Sequence, residues 1–404
     1  MMERRRQRKV RLVFTLLFGS VAASPTSILD FGFWILDFGH SSNPKSAIQN
    51  LKSDSLTQWQ PNEAPANAQY VGSSRCVQCH TDKTGQPSSL MGKASESVDE
   101  CQVLRAHPLL TLRLGGYSYK IAREGNRSLY TVTDGKSTFS VPILYCFGHG
   151  KGGQTYIFQH RGAFYESRVS FYPAIKGLDL TRGAQMSEPQ SVEEAAGKRM
   201  NPADARSCFG CHTTGAATKS DVQVERLIHG ITCESCHGLG EKHVAAVTWG
   251  KFGQRLVFNP AVLEAEEMST FCGSCHRTWE QVVLMQQAMR RNGVEMGKNS
   301  VRFQPYRLAL SPCYDMSDKR ISCTACHDPH RDPEHAPAFY DAKCTACHTS
   351  DKERRQVGNR VAKTCRVATQ KCVTCHMPKT ELPGSHTAFA DHFIRVVKSG
   401  ESVW

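Results

Sequence analysis

Seven times along this chain two cysteines stand three positions apart and a histidine follows at once. The copies are CVQCH (Cys76, Cys79, His80), CFGCH (Cys208, Cys211, His212), CESCH (Cys233, Cys236, His237) and CGSCH (Cys272, Cys275, His276). Then come CTACH (Cys323, Cys326, His327), a second CTACH (Cys344, Cys347, His348) and CVTCH (Cys372, Cys375, His376). They take fourteen of the 18 cysteines and seven of the 17 histidines in 404 residues, which chance does not produce. Two thiols one helical turn apart can each form a thioether to a vinyl group of one haem, and the next residue, His, then lies under the iron as proximal ligand. The expectation is seven covalently bound haem c groups, with these cysteines as attachment points and these histidines as proximal ligands. A lone C-x-x-C would also suit a zinc pair or a redox disulfide, but neither requires His at the fifth position in every copy.

The far face of each iron needs a second ligand or stays open. Ten histidines lie outside the motifs. His107, His243, His330 and His386 are the first distal candidates, followed by His149, His229 and His392; His160 and His335 rank below them. His330 follows His327 too closely to pass around the porphyrin edge, so it must serve a neighbouring haem. The same argument favours a neighbour for His229 and, more weakly, for His243. Methionine is the other candidate ligand type, with Met91 the foremost and Met377 expected to pack on its own haem edge. Cys101, Cys146, Cys313 and Cys365 are left over; three disulfide pairings are open, and chain order suggests Cys101 with Cys146 and Cys313 with Cys365.

Thioether attachment is made outside the cytoplasm, and the start of the chain agrees. MMERRRQRKVR is basic, LVFTLLFGSVAA is apolar, and small residues follow, the layout of a signal peptide over residues 1–23. The compartment expected is periplasmic or extracellular, with membrane contact only through an uncleaved leader. The net charge of +13 and pI of 9.0 raise nucleic acid as a partner. Arg4, Arg5, Arg6, Arg8, Lys9 and Arg11 against Glu3 account for +5 of that, leaving +8. Each ferric haem with ionised propionates adds roughly one negative charge, so the loaded protein sits near neutrality and nucleic acid drops out. The partners expected are redox proteins, either other cytochromes or a membrane quinol-linked complex.

These residues must be positioned by an uneven chain. Residues 24–69, with the short repeat ILDFGFW and ILDFGH (His40 included), read as a disordered linker, and 70–114 as the first haem segment. Between His80 and Cys208 lie 127 residues without a motif. YSYKIA, SLYTVT, STFSVPILY, QTYIFQ and FYESRVSFY, punctuated by EGN, DGK and HRG, read as strands and turns. They define a β-rich module and link over residues 115–200, with a helix expected in SVEEAAGKRM. Residues 201–394 hold the other six motifs, with too little chain per haem for separate apolar pockets; 395–404 is a tail. The fold class expected is mainly α and haem-packed, with short helices and long loops, plus the β-rich module in the N-terminal half.

YVGSSRCVQCH, ITCESCHGLGEKH, ISCTACHDPH and CVTCHMPKTELPGSHTAFADH resemble the multihaem c-type cytochromes of the cytochrome c-554 group, within the wider lineage of nitrite reductase and hydroxylamine oxidoreductase. The resemblance implies mostly bis-His haems in close pairs used for electron transfer, with His243 and His386 as distal ligands. No motif here ends in Lys, unlike the catalytic motif typical of the nitrite reductases. Two functions follow as expectations: an electron carrier with no catalytic residue, or a reductase or oxidase of a small nitrogen or sulfur compound at one five-coordinate haem. For the latter, Arg123, Arg161 and Arg168 are candidate contributors.

Overall fold

The computed structural model describes residues 59–291, 296–348, 356–357, 360–361 and 365–397. The leader, His40 and most of the segment read as linker lie outside the described residues. Residues 59–69 of that segment are packed: Trp59 Nε1 donates to Ser235 O at 2.6 Å, and Ala64 N–H to Ala217 O at 2.7 Å.

The expectation of a mainly α, haem-packed fold is corrected. Helix takes 34% of the described residues and strand 21%, and the described strands form five separate antiparallel sheets. The physical reason is that a C-x-x-C-H motif asks for only one helical turn, whereas the alternating Tyr, Val, Ile and Phe runs make long ladders.

After α1 (Ser73–Val77) come β1 (Ser95–Ser97) and α2 (Gln102–Ala106). A four-stranded meander follows: β2 (Leu109–Leu114), β3 (Tyr117–Glu124), β4 (Arg127–Thr133) and β5 (Thr138–Pro142). β6 (Tyr145–Phe147), β7 (Gln154–His160), β8 (Ala163–Tyr172), β9 (Gly177–Leu180) and β10 (Gly197–Arg199) join β1 in a six-stranded sheet of order β1-β6-β7-β8-β10, with β9 also on β8. Inward residues alternate along each strand: Tyr117, Tyr119 and Ile121 on β3, Tyr130 and Val132 on β4, Phe139 and Val141 on β5. They meet Tyr156, Phe158, Val169 and Phe171 of the larger sheet in one core. The HRG turn between β7 and β8 has positive φ at both Arg161 (48°) and Gly162 (76°), the two-residue geometry that matches strand twist. The helix expected in SVEEAAGKRM is α3 (Val192–Ala196) alone; the chain turns to strand at Gly197 because β8 offers its edge there.

The other motifs sit on or beside short helices: α4 (Pro202–His212), α5 (Cys233–His237), α7 (Ala265–His276), α10 (Cys323–Cys326), α11 (Pro337–Thr345) and α12 (Cys372–His376). Between them lie β11 (Thr213–Thr214) paired with β12 (Ile228–His229), α6 (Glu241–Thr248), α8 (Trp279–Arg291) and α9 (Gln304–Ala309). Two further pairs, β13 (Gln356–Val357) with β14 (Arg360–Val361) and β15 (Lys379–Glu381) with β16 (Ala388–Ala390), flank the last motif.

Candidate functional site

Within the motifs, the histidine N–H of His80, His327 and His348 donates to the carbonyl of the first cysteine four residues earlier, at 3.0, 2.9 and 3.0 Å. One helical turn thus separates the two thiols and turns the imidazole back beside them, the arrangement that two thioethers and one iron ligand require. The proximal rings are oriented from behind. His212 Nδ1 lies 2.9 Å from Ala94 O, His237 Nδ1 2.9 Å from Phe258 O, and His376 Nδ1 2.8 Å from Arg395 O. A carbonyl only accepts, so Nδ1 carries the proton in each ring and Nε2 keeps its lone pair for a metal. Burial lowers the pKa of His212, His237, His276 and His327, holding these imidazoles in the neutral, ligating form.

Three proximal rings face a second histidine. The His80 and His243 centroids are 6.4 Å apart with planes 29° apart, His237 and His330 are at 6.1 Å and 15°, and His327 and His392 at 6.2 Å and 41°. An iron held by two imidazole nitrogens at about 2 Å each puts the ring centroids about 6 Å apart. His392 Nδ1 lies 3.0 Å from Ala390 O, which again leaves Nε2 for the metal, and burial takes this imidazole down to about 4. The donor set therefore fits covalent haem: paired free thiols, oriented neutral imidazoles, and facing rings at the right spacing.

Residues 173–238, which hold the second and third motifs, match the family model described as cytochrome c554 and c-prime. Over those residues the chain resembles that family of c-type cytochromes. Haem binding and electron transfer are the functions that go with the match. No curated protein and no solved structure matches it significantly.

The remaining distal candidates lie elsewhere in the chain. His107 packs on Phe171, centroids 4.9 Å apart, inside the β module. His149 has a buried Nδ1 with no hydrogen-bond partner among the described residues. His229 Nδ1 is 3.2 Å from Ser95 Oγ and its ring is 6.4 Å from that of Tyr145. His386 differs from the paired histidines in that its Nε2, the atom an iron would take, lies 2.7 Å from Asp179 Oδ2. Arg123 donates to the carbonyls of Val98 and Asp99 and Arg168 to that of Ser187, while Arg161 sits in the β7–β8 turn. Met91 contributes its carbonyl, which accepts from Ile231 N–H at 2.9 Å. Cys101 and Cys146 are fully buried with their thiols in contact; Cys313 lies near Cys326 and Cys347, and Cys365 is exposed.

The motifs pack on one another. The thiols of Cys76 and Cys233 meet, as do those of Cys211 and Cys275, Cys272 and Cys323, and Cys344 and Cys372. Burial pushes Cys236 up to about 11 and Cys208 up to about 12, so these thiols are neutral. Two carboxylates that sequence reasoning missed tie motifs together. Glu234, inside CESCH, accepts from Val71, Gly72 and Gly240 N–H at 3.1, 2.9 and 2.8 Å and so joins the third motif to the first. Asp341 accepts from Lys371 and Cys372 N–H at 2.7 and 2.9 Å, capping the seventh motif from the helix of the sixth. Only the position of Glu234 between two cysteines gave a signal. Phe209, inside CFGCH, is fully buried against Tyr145, Phe147 and Phe164 at 5.1–5.2 Å, so the larger sheet holds the second motif. Phe147 also stacks on His212 at 4.9 Å and 2°.

Proposed function

We propose that the protein is an exported electron carrier with seven haem c groups, most of them held between two histidines, that passes electrons between redox partner proteins. The observation that carries this reading is the set of three facing histidine pairs, His80–His243, His237–His330 and His327–His392, at 6.1–6.4 Å. When bound, the haem supplies one-electron chemistry at iron. The chain does the rest: seven thiol pairs would anchor, Nδ1–H bonds fix the tautomer of His212, His237, His376 and His392, and burial favours the neutral form of His212, His237, His276, His327 and His392. Contacts between the first and third, second and fourth, fourth and fifth, and sixth and seventh motifs support the close spacing that outer-sphere transfer requires. Among the described residues no helix is long and apolar enough to cross a membrane. Export rests on the leader sequence and on the compartment in which thioethers are made.

The test is made on protein produced in a host with haem c maturation. Haem quantification and intact mass should give seven groups per chain. The oxidised protein should show low-spin ferric EPR signals accounting for most of the iron. His243→Ala, His330→Ala and His392→Ala should each convert one low-spin iron to high spin, whereas His107→Ala should not. A haem count far below seven, or three spectrally silent variants, would sink the reading. A wild-type high-spin signal that shifts with cyanide or nitrite would mark an open iron and favour an enzyme instead.

A further inference from the structure

Three arginines converge where the β module meets the haem segment. Arg182 follows β9, Arg277 follows His276 at the end of α7, and Arg302 ends the 3-10 turn before α9. The Arg182 guanidinium lies over Phe389 of β16, 5.3 Å from the ring centroid, and β16 packs on the turn that carries Arg302. Arg277 donates to Ser207 Oγ at 3.4 Å, beside Cys208 of the second motif, from a backbone with φ of 71°. Burial, then the charges of Arg182 and Arg277, pulls Arg302 down to about 10. Arg182 Nη1 and Arg302 Nε are buried with no hydrogen-bond partner among the described residues.

Negative charge near them is scarce. Glu166 on β8 feels Arg302, but burial pushes its carboxyl up, toward the neutral form. Asp179 is engaged by His386 at 2.7 Å. Clustered guanidinium groups with buried, unsatisfied N–H donors are costly unless an anion completes them. Their planar forks suit carboxylates above all.

We propose that Arg182, Arg277 and Arg302 form the seat for the propionate carboxylates of a haem attached at the second or fourth motif. The assignment rests on the covalent-haem reading above. Its location decides the ligand: Arg277 ties the cluster to both motifs, following His276 directly in the chain and donating to Ser207 beside Cys208. A free oxyanion shares the chemistry of a propionate, and the experiment separates the two. Fixing positive charge beside the propionates stabilises the reduced iron, so this seat raises the potential of its haem above that of otherwise similar neighbours.

The experiment is a spectroelectrochemical titration of the holoprotein and its variants Arg302→Gln, Arg182→Gln and Arg302→Lys, with Lys136→Gln at an exposed turn as the control for loss of one charge. Arg302→Gln and Arg182→Gln should each lower the potential of one haem and leave the rest unmoved. Arg302→Lys should retain most of the wild-type value, and Lys136→Gln all of it. Unchanged potentials in both Gln variants, with seven haems still attached, would overturn the seat while leaving the carrier reading intact. A wild-type haem count far below seven would overturn that reading instead. Wild-type binding of nitrite or oxalate that Arg302→Gln abolishes would assign the cluster to a free anion and also overturn the seat.

Discussion

Asp391 shows how a single residue outside the motifs holds a candidate ligand, His392, in place. It is fully buried and accepts from Arg307 Nε and Nη2 at 2.8 and 2.6 Å, from Arg395 Nη1 at 2.8 Å and from Phe393 N–H at 3.0 Å. Its neighbour His392 faces His327, and Arg395 O receives the His376 Nδ1 proton, so one carboxylate positions the surroundings of two motifs. Burial alone would push the Asp391 carboxyl up, but Arg307, the Phe393 N–H and Arg395 outweigh it and the pKa falls below its ordinary value. A carboxyl with a folded pKa below its unfolded value of about 3.9 adds stability that is complete above that value and is lost as pH falls through the folded pKa. Docking of the C-terminal segment should therefore be constant from neutral pH to about 5 and weaken progressively as pH falls below about 4. The low-spin signal lost in His392→Ala reports it. Asp391→Ala, which removes the buried carboxylate that Arg307 and Arg395 donate to, should cost about 3–5 kcal/mol in a chemical melt. Nothing in the sequence marks this network, since Arg307 and Asp391 are 84 positions apart and neither has a motif. The motif histidines, by contrast, stand out in the sequence as candidate ligands because their spacing to the cysteines is local. The rings that face them show in the sequence only as a surplus of histidines, because each pairing is made between distant segments.

Elements here are held by close backbone crossings as much as by side chains. The segment before β1 runs against the link from β12 to the third motif: Ile231 N–H donates to Met91 O at 2.9 Å and Gly230 N–H to Ser95 Oγ at 3.0 Å. A Cβ at Gly230 would stand 1.8 Å from Gly92 O, and φ there is +75°. Neither partner is a flexible side chain, so Gly230→Ala must separate the two strands of chain. A loss of at least about 1–3 kcal/mol is expected, with the His229–Ser95 contact broken. A lowered melting temperature checks this; an unchanged one would show that the crossing is not needed. The strands of the β module were readable because alternation is a local pattern, with Tyr119, Ile121, Tyr130 and Val132 all facing inward. Helix lengths were not. α3 stops at Ala196 because the open edge of β8 captures Gly197–Arg199, a competition between a local preference and a distant partner.

At the scale of the whole molecule, apolar burial is unevenly shared. The β module has its own core between two sheets, sealed by Tyr130 Oη donating to Ala196 O and Tyr117 Oη to Pro189 O, each at 2.9 Å. Smaller clusters hold the second motif to β6 and β7, and α8 to α9. From Ser311 to Val397 the described buried apolar side chains are Leu382 and Cys347 alone. So little burial does not offset the backbone entropy of ordering that segment; on the proposed reading, the apolar faces of bound porphyrins supply the rest. Chain made without haem maturation should thus keep only part of its structure. In hydrogen exchange the amides of β3, β4, β7 and β8 should stay protected, while those from Ser311 onward exchange as an unfolded chain does. Protection of both regions in the haem-free chain would mean that the C-terminal segment folds without porphyrin. Loss of both would mean that the sandwich depends on the second motif docked through Phe209, and that the two halves fold as one cooperative unit.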